Sequence, residues 1–222
     1  MNSAAANIPS KPIVRKAAPL SWLKPAVITG ALVPLSVLFF RWQMGFLDSD
    51  KVSEILNYFG MLALIFLIAS LACTPLKLIF GWTWGLRIRK ELGVISFFYA
   101  LGHFIVYFLF DKSLSVGAAI EDVLKRPFIL VGFLAFLILL PLAMTSTARA
   151  VRRMGAKNWQ RLHRLVYLAG ILGALHFYMR VKSDVREPLL YAGVLGILLL
   201  ARVIYRNTSN RTGGRLPKQT AE

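Results

Sequence analysis

Six long runs of apolar residues divide the chain, and short polar segments rich in Lys and Arg separate them. A helix of about 20 apolar residues crosses the hydrocarbon core of a bilayer and satisfies its own backbone hydrogen bonds there. The predicted spans are residues 26–44, 55–74, 93–110, 128–146, 162–179 and 188–205. The pattern therefore predicts an all-α, polytopic membrane protein with six transmembrane helices.

Too few residues remain outside these spans for a second folded domain. We expect a disordered basic tail over residues 1–24, a transmembrane domain over 25–206 and a second disordered tail over 207–222. The composition agrees, because 57% of the 222 residues are hydrophobic and only 17% are charged, against about 25% charged in soluble domains. The one cysteine, Cys73, excludes an intrachain disulfide and a multi-cysteine metal site.

The charge is strongly unbalanced, with 27 Lys and Arg against 10 Asp and Glu, a net charge of +17. In a soluble protein this excess would suggest a nucleic-acid partner, but a membrane-embedded chain gives no reason to expect one. On the predicted topology, 19 basic and two acidic residues share the side of both termini, and the other side carries eight of each. Positive charge collects in cytoplasmic loops. Both termini are therefore predicted to be cytoplasmic.

Histidine offers the clearest candidate chemistry inside the spans, where ionisable residues are costly and usually functional. His103 lies about 15 Å into the third span and His176 about 21 Å into the fifth, at 1.5 Å per residue. Two imidazoles at similar depth on neighbouring helices are what a bis-histidine haem needs, so both are candidate iron ligands. The small residues Gly102 and Gly173 beside them favour close approach of helices or of a flat cofactor.

Other interpretations of the histidines stay open at this stage. An intramembrane histidine also serves as an interhelical hydrogen-bonding group, as a proton relay in a transporter without haem, or as packing in a membrane anchor for a partner enzyme. His163 lies near the cytoplasmic surface without a histidine partner, either as an interfacial side chain or as a further cofactor-binding residue. Arg180, one turn beyond His176, pairs with a haem propionate in one hypothesis and snorkels to the interface in the other.

Three sequence motifs and the histidine that follows them resemble a known family. They are PLAMTS at 141–146, RRMG at 152–155 and WQRLHRLVY at 159–167, followed by His176. They are similar to the MsrQ (YedZ) family, the haem-binding membrane subunits of the bacterial protein-methionine-sulfoxide reductase system. That family belongs to the wider group of ferric-reductase-like transmembrane domains, which includes the NADPH oxidases. The resemblance covers roughly residues 21–206.

The resemblance implies an electron-transfer subunit of the bacterial inner membrane. It implies a b-type haem held by His103 and His176, with His163 a further family histidine, and an FMN on the cytoplasmic side. Electrons would come from the quinone pool or a cytoplasmic flavin reductase and pass to MsrP. In this family MsrP is a periplasmic molybdopterin enzyme that reduces methionine sulfoxide, so that reaction is expected on the partner chain. The chain lacks the fourth histidine and the dehydrogenase domain of the NADPH oxidases, which argues against a second bis-histidine haem and direct use of NADPH.

Overall fold

A computed structural model describes residues 20–181 and 183–213, with side chains in the last helix as far as Tyr205. Residues 1–19 and 214–222 of the two predicted tails lie outside the described part. The described residues form helices joined by short connections, without a strand. The helices are α1 (Leu23–Gln43), α2 (Lys51–Phe80), α3 (Gly85–Val106), α4 (Val116–Lys125), α5 (Pro127–Met144), α6 (Ala148–Met154), α7 (Ala156–His163), α8 (Leu165–Arg180) and α9 (Arg186–Gly213).

Six helical stretches of the described chain are long and apolar enough to cross a membrane. They are α1, α2, α3 with the π-helical turn Tyr107–Asp111, α5, α7 together with α8, and α9. The predicted all-α, six-helix membrane fold is confirmed. The last helix continues to Gly213, so residues 207–213 of the expected C-terminal tail are helical in the structure.

Helix α2 lies at the centre of the bundle, packed along α3 and also against α8 and α9, while α5 packs on α8 and α3. The buried core is apolar, and its members are Leu67, Leu71, Phe97, Leu139, Ala169, Ala174 and Leu195. The outward faces stay apolar too, as at Phe39, which is 57% exposed. A helix that is apolar all round is typical of a membrane span.

The bundle has two chemically different ends, and we name them by their connections. The basic end carries the connections 81–84 and 145–164, and the opposite end carries 44–50, 107–126 and the described residues 181 and 183–185. Because lipid tails are as apolar as the core, packing and interhelical hydrogen bonds hold the helices together. Ser96 Oγ donates to the carbonyl of Ala63 at 2.8 Å, and Tyr99 Oη donates to that of Ala31 at 2.5 Å.

Helix α4 is the largest element that the sequence pattern did not predict. Ser115 caps its first turn by accepting from Ala118 N–H at 3.2 Å. Just before it, Ser113 and Leu114 have φ values of 50° and 63°, the left-handed region that non-glycine residues seldom adopt. Helices α6 and α7 also form within a predicted loop. All three are shorter than a span, so the search for long apolar runs passed over them.

An ionic cluster ties α4 to the end of α3. Asp122 accepts from Tyr107 Oη at 3.1 Å, from Lys112 Nζ at 2.8 Å and from Arg126 Nε at 2.9 Å. Lys112 Nζ also lies 2.8 Å from Asp111. Burial raises the pKa of Asp122, but the hydrogen bonds from Lys112 and Tyr107 outweigh it, so this pKa is lowered. Burial lowers the pKa of Lys112, and its two carboxylate partners reverse the shift, so this pKa is raised.

Replacing Asp122 by Asn tests the stabilising role of this cluster. A lowered folded-state pKa contributes stability above the unfolded-state value and loses it as the pH falls through the folded value. We expect Asp122→Asn, in nanodiscs at neutral pH, to lower the free energy of unfolding by about 1–3 kcal/mol. The difference from the unsubstituted protein should shrink below about pH 4. Thermal unfolding between pH 3 and 8 measures it, with the exposed Glu121→Gln as control, and a pH-independent difference would contradict the account.

Candidate functional site

The imidazole of His103, on α3, is held by the backbone of α2. Its Nδ1 lies 2.8 Å from the carbonyl oxygen of Leu56. Because a carbonyl can only accept a hydrogen bond, Nδ1 carries the hydrogen and donates it. The other ring nitrogen, Nε2, is then the unprotonated one with a free lone pair. A hydrogen bond of this kind is what orients metal-binding histidines and sets their tautomer.

His176, on α8, repeats this arrangement with α5. Its Nδ1 lies 2.6 Å from the carbonyl oxygen of Phe128, so the hydrogen is again on Nδ1 and the lone pair on Nε2. The ring of Phe128 also lies beside the imidazole, with 6.1 Å between ring centroids. Two histidines on different helices thus have the same tautomer, each fixed by a neighbouring helix.

The two imidazoles, which we call the histidine pair, lie close together. Their ring centroids are 6.1 Å apart and their planes are at 84° to each other. A metal–imidazole nitrogen bond is about 2 Å long, so two ligands on opposite sides of one metal have nitrogens about 4 Å apart and ring centres about 6 Å apart. The observed separation of His103 and His176 fits that value, and the two histidines predicted to lie at similar depth are close neighbours in the structure.

Two glycines make room for the histidine pair. A Cβ added at Gly60 would lie 3.1 Å from His103 Nδ1, and one at Gly132 would lie 2.6 Å from His176 Nδ1. The glycines named from the sequence behave differently: a Cβ at Gly102 would collide with the ring of Phe59, and one at Gly173 would meet only Leu64, at 3.7 Å. Gly102 therefore serves helix contact, whereas Gly60 and Gly132 shape the space around the imidazoles.

A cavity of about 930 Å³ contains the histidine pair and is bounded by α2, α3, α5 and α8. Cavities for small-molecule ligands and cofactors are about 300–1,000 Å³. Its walls are mainly apolar, and towards the opposite end they include Asn57, two arginines and three acidic residues: Arg126, Arg180, Asp111, Asp184 and Glu187. The apolar face of α4 closes part of that end. This is a mainly apolar space that contains two imidazoles with unprotonated nitrogens and has a polar outer rim.

The donor set fits an iron porphyrin. Among the residues described, the structure contains no cluster of three or more His, Cys, Asp or Glu side chains that could bind a metal ion by themselves. A porphyrin supplies four nitrogens itself, so the protein needs to add only two axial ligands. His103 and His176 offer two such ligands, the unprotonated Nε2 atoms of their imidazoles.

Comparison with known proteins agrees with the sequence motifs. Residues 56–174 match the model of the family described as ferric reductase like transmembrane component. A protein-methionine-sulfoxide reductase heme-binding subunit MsrQ from Deinococcus radiodurans is 48% identical over 191 residues, covering 86% of this chain and 94% of its own. A protein of the same name from Rhodospirillum rubrum is 44% identical and covers 86% of this chain and 92% of its own. Another from Brucella anthropi is 38% identical and covers 99% of this chain and 97% of its own. This chain belongs to the MsrQ family.

The motifs that carry the MsrQ resemblance meet at the basic end. Thr145 Oγ1 donates to the carbonyl of Pro141 at 2.6 Å, so it accepts from His163 Nε2 at 3.0 Å. The His163 ring stacks on Trp159 with 3.9 Å between centroids, and Trp159 Nε1 donates to the Thr145 carbonyl at 2.9 Å. PLAMTS and WQRLHRLVY thus pack together where α5 ends and α7 runs towards α8.

His163 therefore differs from the histidine pair in both place and tautomer. It does not line the cavity, and its Nε2 carries a hydrogen that it donates to Thr145. No described histidine stands opposite it as His176 stands opposite His103. A role of His163 in cofactor binding stays a prediction.

Several residues around the histidine pair were not found from the sequence. The carbonyls of Leu56 and Phe128 hold the rings, and a backbone carbonyl has no signature in residue identity. Gly60 and Gly132 do leave a weak signal, because each stands inside an apolar helix where glycine costs about 1 kcal/mol relative to alanine. A search for glycines in helix interiors would have included both, among others.

Proposed function

We propose that this MsrQ-family chain binds a b-type haem through Nε2 of His103 and Nε2 of His176 and carries electrons through the membrane. The observation that supports it most strongly is the close pair of imidazoles in one cavity, with 6.1 Å between ring centroids and each Nδ1 bound to a backbone carbonyl. The relatives' printed name, heme-binding subunit, supports the same cofactor. When bound, the haem supplies one-electron redox chemistry.

The contributions of the protein itself are orientation, basicity and exclusion of water. The carbonyls of Leu56 and Phe128 keep both rings in one tautomer and raise the electron density of the ligating nitrogens. The apolar walls keep water out, and burial is one of the factors that set the potential of a haem. Because packing holds both imidazoles in place, little reorganisation accompanies a change in charge.

The orientation of the protein in the membrane, in this proposal, follows from the charge of the two ends. The protein lies in the inner membrane of a bacterium. By the positive-inside rule, its basic end faces the cytoplasm, and both termini lie on that side. The donor is the quinone pool or a cytoplasmic flavin reductase. An FMN at the basic end is the second cofactor that the family resemblance implies, and no residue is assigned to it.

The acceptor in this proposal is MsrP at the opposite, periplasmic end. The name protein-methionine-sulfoxide reductase, printed for the relatives, supports a partner that reduces methionine sulfoxide. Reduction of the sulfoxide to methionine consumes two electrons and two protons and releases water, so a one-electron carrier must deliver twice for each repair. That reaction belongs to the molybdopterin partner, which repairs oxidised periplasmic proteins.

An assay in lipid vesicles tests electron transfer by this chain alone. We expect haem-replete protein to pass electrons from external dithionite to ferricyanide trapped inside, with a haem Soret band that shifts on reduction. The variant carrying both His103→Ala and His176→Ala, inserted at equal density, should show neither. If unsubstituted protein produced with ample haem carries no Soret band, the proposal is overturned in favour of a transporter, a proton relay or a membrane anchor.

A further inference from the structure

Arg180, the last residue of α8, lines the cavity and is partly buried there. Its Nη1 donates to Oδ1 of Asn57 on α2. Among the residues that the structure describes, no carboxylate lies within ion-pair distance of this guanidinium. A partly buried charge at the end of a membrane span is costly when no counter-ion compensates it, so the absence of an ion pair suggests that a ligand provides one.

Each member of the Arg180–Asn57 pair is close in sequence to one of the two imidazoles or to the residue that holds it. Arg180 follows His176 by four residues, which places the two on one face of α8. Asn57 directly follows Leu56, whose carbonyl holds His103. The other arginine lining the cavity, Arg126, is already bound by Asp122 at 2.9 Å. Arg180 is thus the described cavity cation whose charge is left uncompensated.

The hydrogen-bond inventory of the pair shows what it can bind. A guanidinium has five N–H donors in one plane and no acceptor, and only one of them is needed for Asn57 Oδ1. Asn57 adds the two donors of its side-chain NH₂ group. Planar donors with a positive charge match a carboxylate, which accepts two parallel hydrogen bonds from arginine. Asp111, Asp184 and Glu187 line the same cavity, but none of them forms an ion pair with Arg180. The free donors of Arg180 and Asn57 therefore fit the carboxylate of a bound ligand.

We propose that Arg180, positioned by Asn57, binds a propionate carboxylate of the haem, an inference that rests on the proposed function. The pairing compensates the charge of the partly buried arginine and that of the carboxylate together, and each charge is costly to desolvate alone. It would also orient the cofactor, because Arg180 and Asn57 lie towards the opposite end of the cavity and would hold the propionate there. Arg180 is a binding residue for the cofactor and not a ligand of the iron.

The bound propionate has a consequence for the haem potential. A positive charge close to the cofactor stabilises its reduced state, because reduction adds an electron in a medium of low dielectric. Arg180→Gln removes that charge and keeps a group able to contact Asn57. We expect the ratio of reduced to oxidised haem at a fixed potential to fall about tenfold, a shift of about 59 mV for one electron. Arg186→Gln, at an exposed site off the cavity, is the matched control and should not shift.

A cycle of two proteins and two cofactors distinguishes propionate binding from a structural role. Membranes from haem-deficient cells holding unsubstituted or Arg180→Gln protein are titrated with haem or with haem dimethyl ester, whose propionates are masked. We expect the substitution to weaken haem binding about tenfold and to leave the affinity for the ester unchanged. Equal weakening of both cofactors would overturn the proposal, because Arg180 would then only support the fold. If unsubstituted protein binds neither cofactor, the proposed function itself fails.

Discussion

His176→Ala and His103→Ala are each expected to reduce the haem content of the purified protein at least about tenfold. Changes to groups that merely orient a metal ligand already cost 10- to 100-fold in affinity, and these substitutions remove the ligating nitrogen itself. The remaining imidazole would then face empty space, because the pair is 6.1 Å apart across the cavity. Haem per protein, measured as the pyridine haemochrome after purification in detergent, gives the result.

His163→Ala is the matched control for these two substitutions. It also removes an imidazole, but one that lies outside the cavity and donates to Thr145. We expect it to keep the bis-histidine spectrum that His176→Ala loses. Circular dichroism and gel filtration establish that each variant is folded. A folded double variant, His103→Ala with His176→Ala, that retains a Soret band would contradict the ligand assignment.

Gly132→Ala is expected to give the second large effect, although it adds only one methyl group. The new Cβ would lie 2.6 Å from Nδ1 and 2.8 Å from Cε1 of His176, closer than real atoms approach. The ring must move, and its hydrogen bond to the Phe128 carbonyl, 2.6 Å long, weakens with it. Loss of such an orienting contact predicts about tenfold weaker haem retention, measured as the rate of haem transfer to an apo-globin acceptor.

A graded series of alanine substitutions separates this effect from changes in the helix. Gly60→Ala, where the new Cβ would stand 3.1 Å from His103 Nδ1, should lose haem more slowly than Gly132→Ala. Gly193→Ala, with nothing within 4 Å, should behave as the unsubstituted protein. Alanine favours a helix over glycine by about 1 kcal/mol, so helix stability cannot explain a loss. Equal haem release by all three variants would refute the proposed packing.

The transmembrane helices could be predicted from the sequence because their signal is redundant. About 20 apolar residues in each span give the same information many times over, so errors at the ends do not change the fold. Helix α4 has only ten residues, and its stability depends on a cap at Ser115 and on the contacts of Asp122. The cap is local and the contacts of Asp122 are tertiary, and neither contributes to a long apolar run, so that pattern does not predict this helix.

The candidate site was predictable only in part, for a related reason. The depths of His103 and His176 follow from helical rise alone, but whether two side chains face each other depends on helix rotation. That rotation is set by packing of α2, α3, α5 and α8, which a single sequence does not specify. The tautomers depend on two backbone carbonyls, and backbone groups are the same at every position.

The electron paramagnetic resonance spectrum of the oxidised protein in nanodiscs tests the central claim most directly. Two imidazole ligands give low-spin ferric haem, because axial ligand identity controls the state of the iron. Planes at 84° leave the iron d orbitals nearly degenerate, so we predict a strongly anisotropic low-spin signal that disappears in His103→Ala and in His176→Ala. A high-spin signal from haem-replete unsubstituted protein, or a low-spin signal that survives both substitutions, would contradict the account.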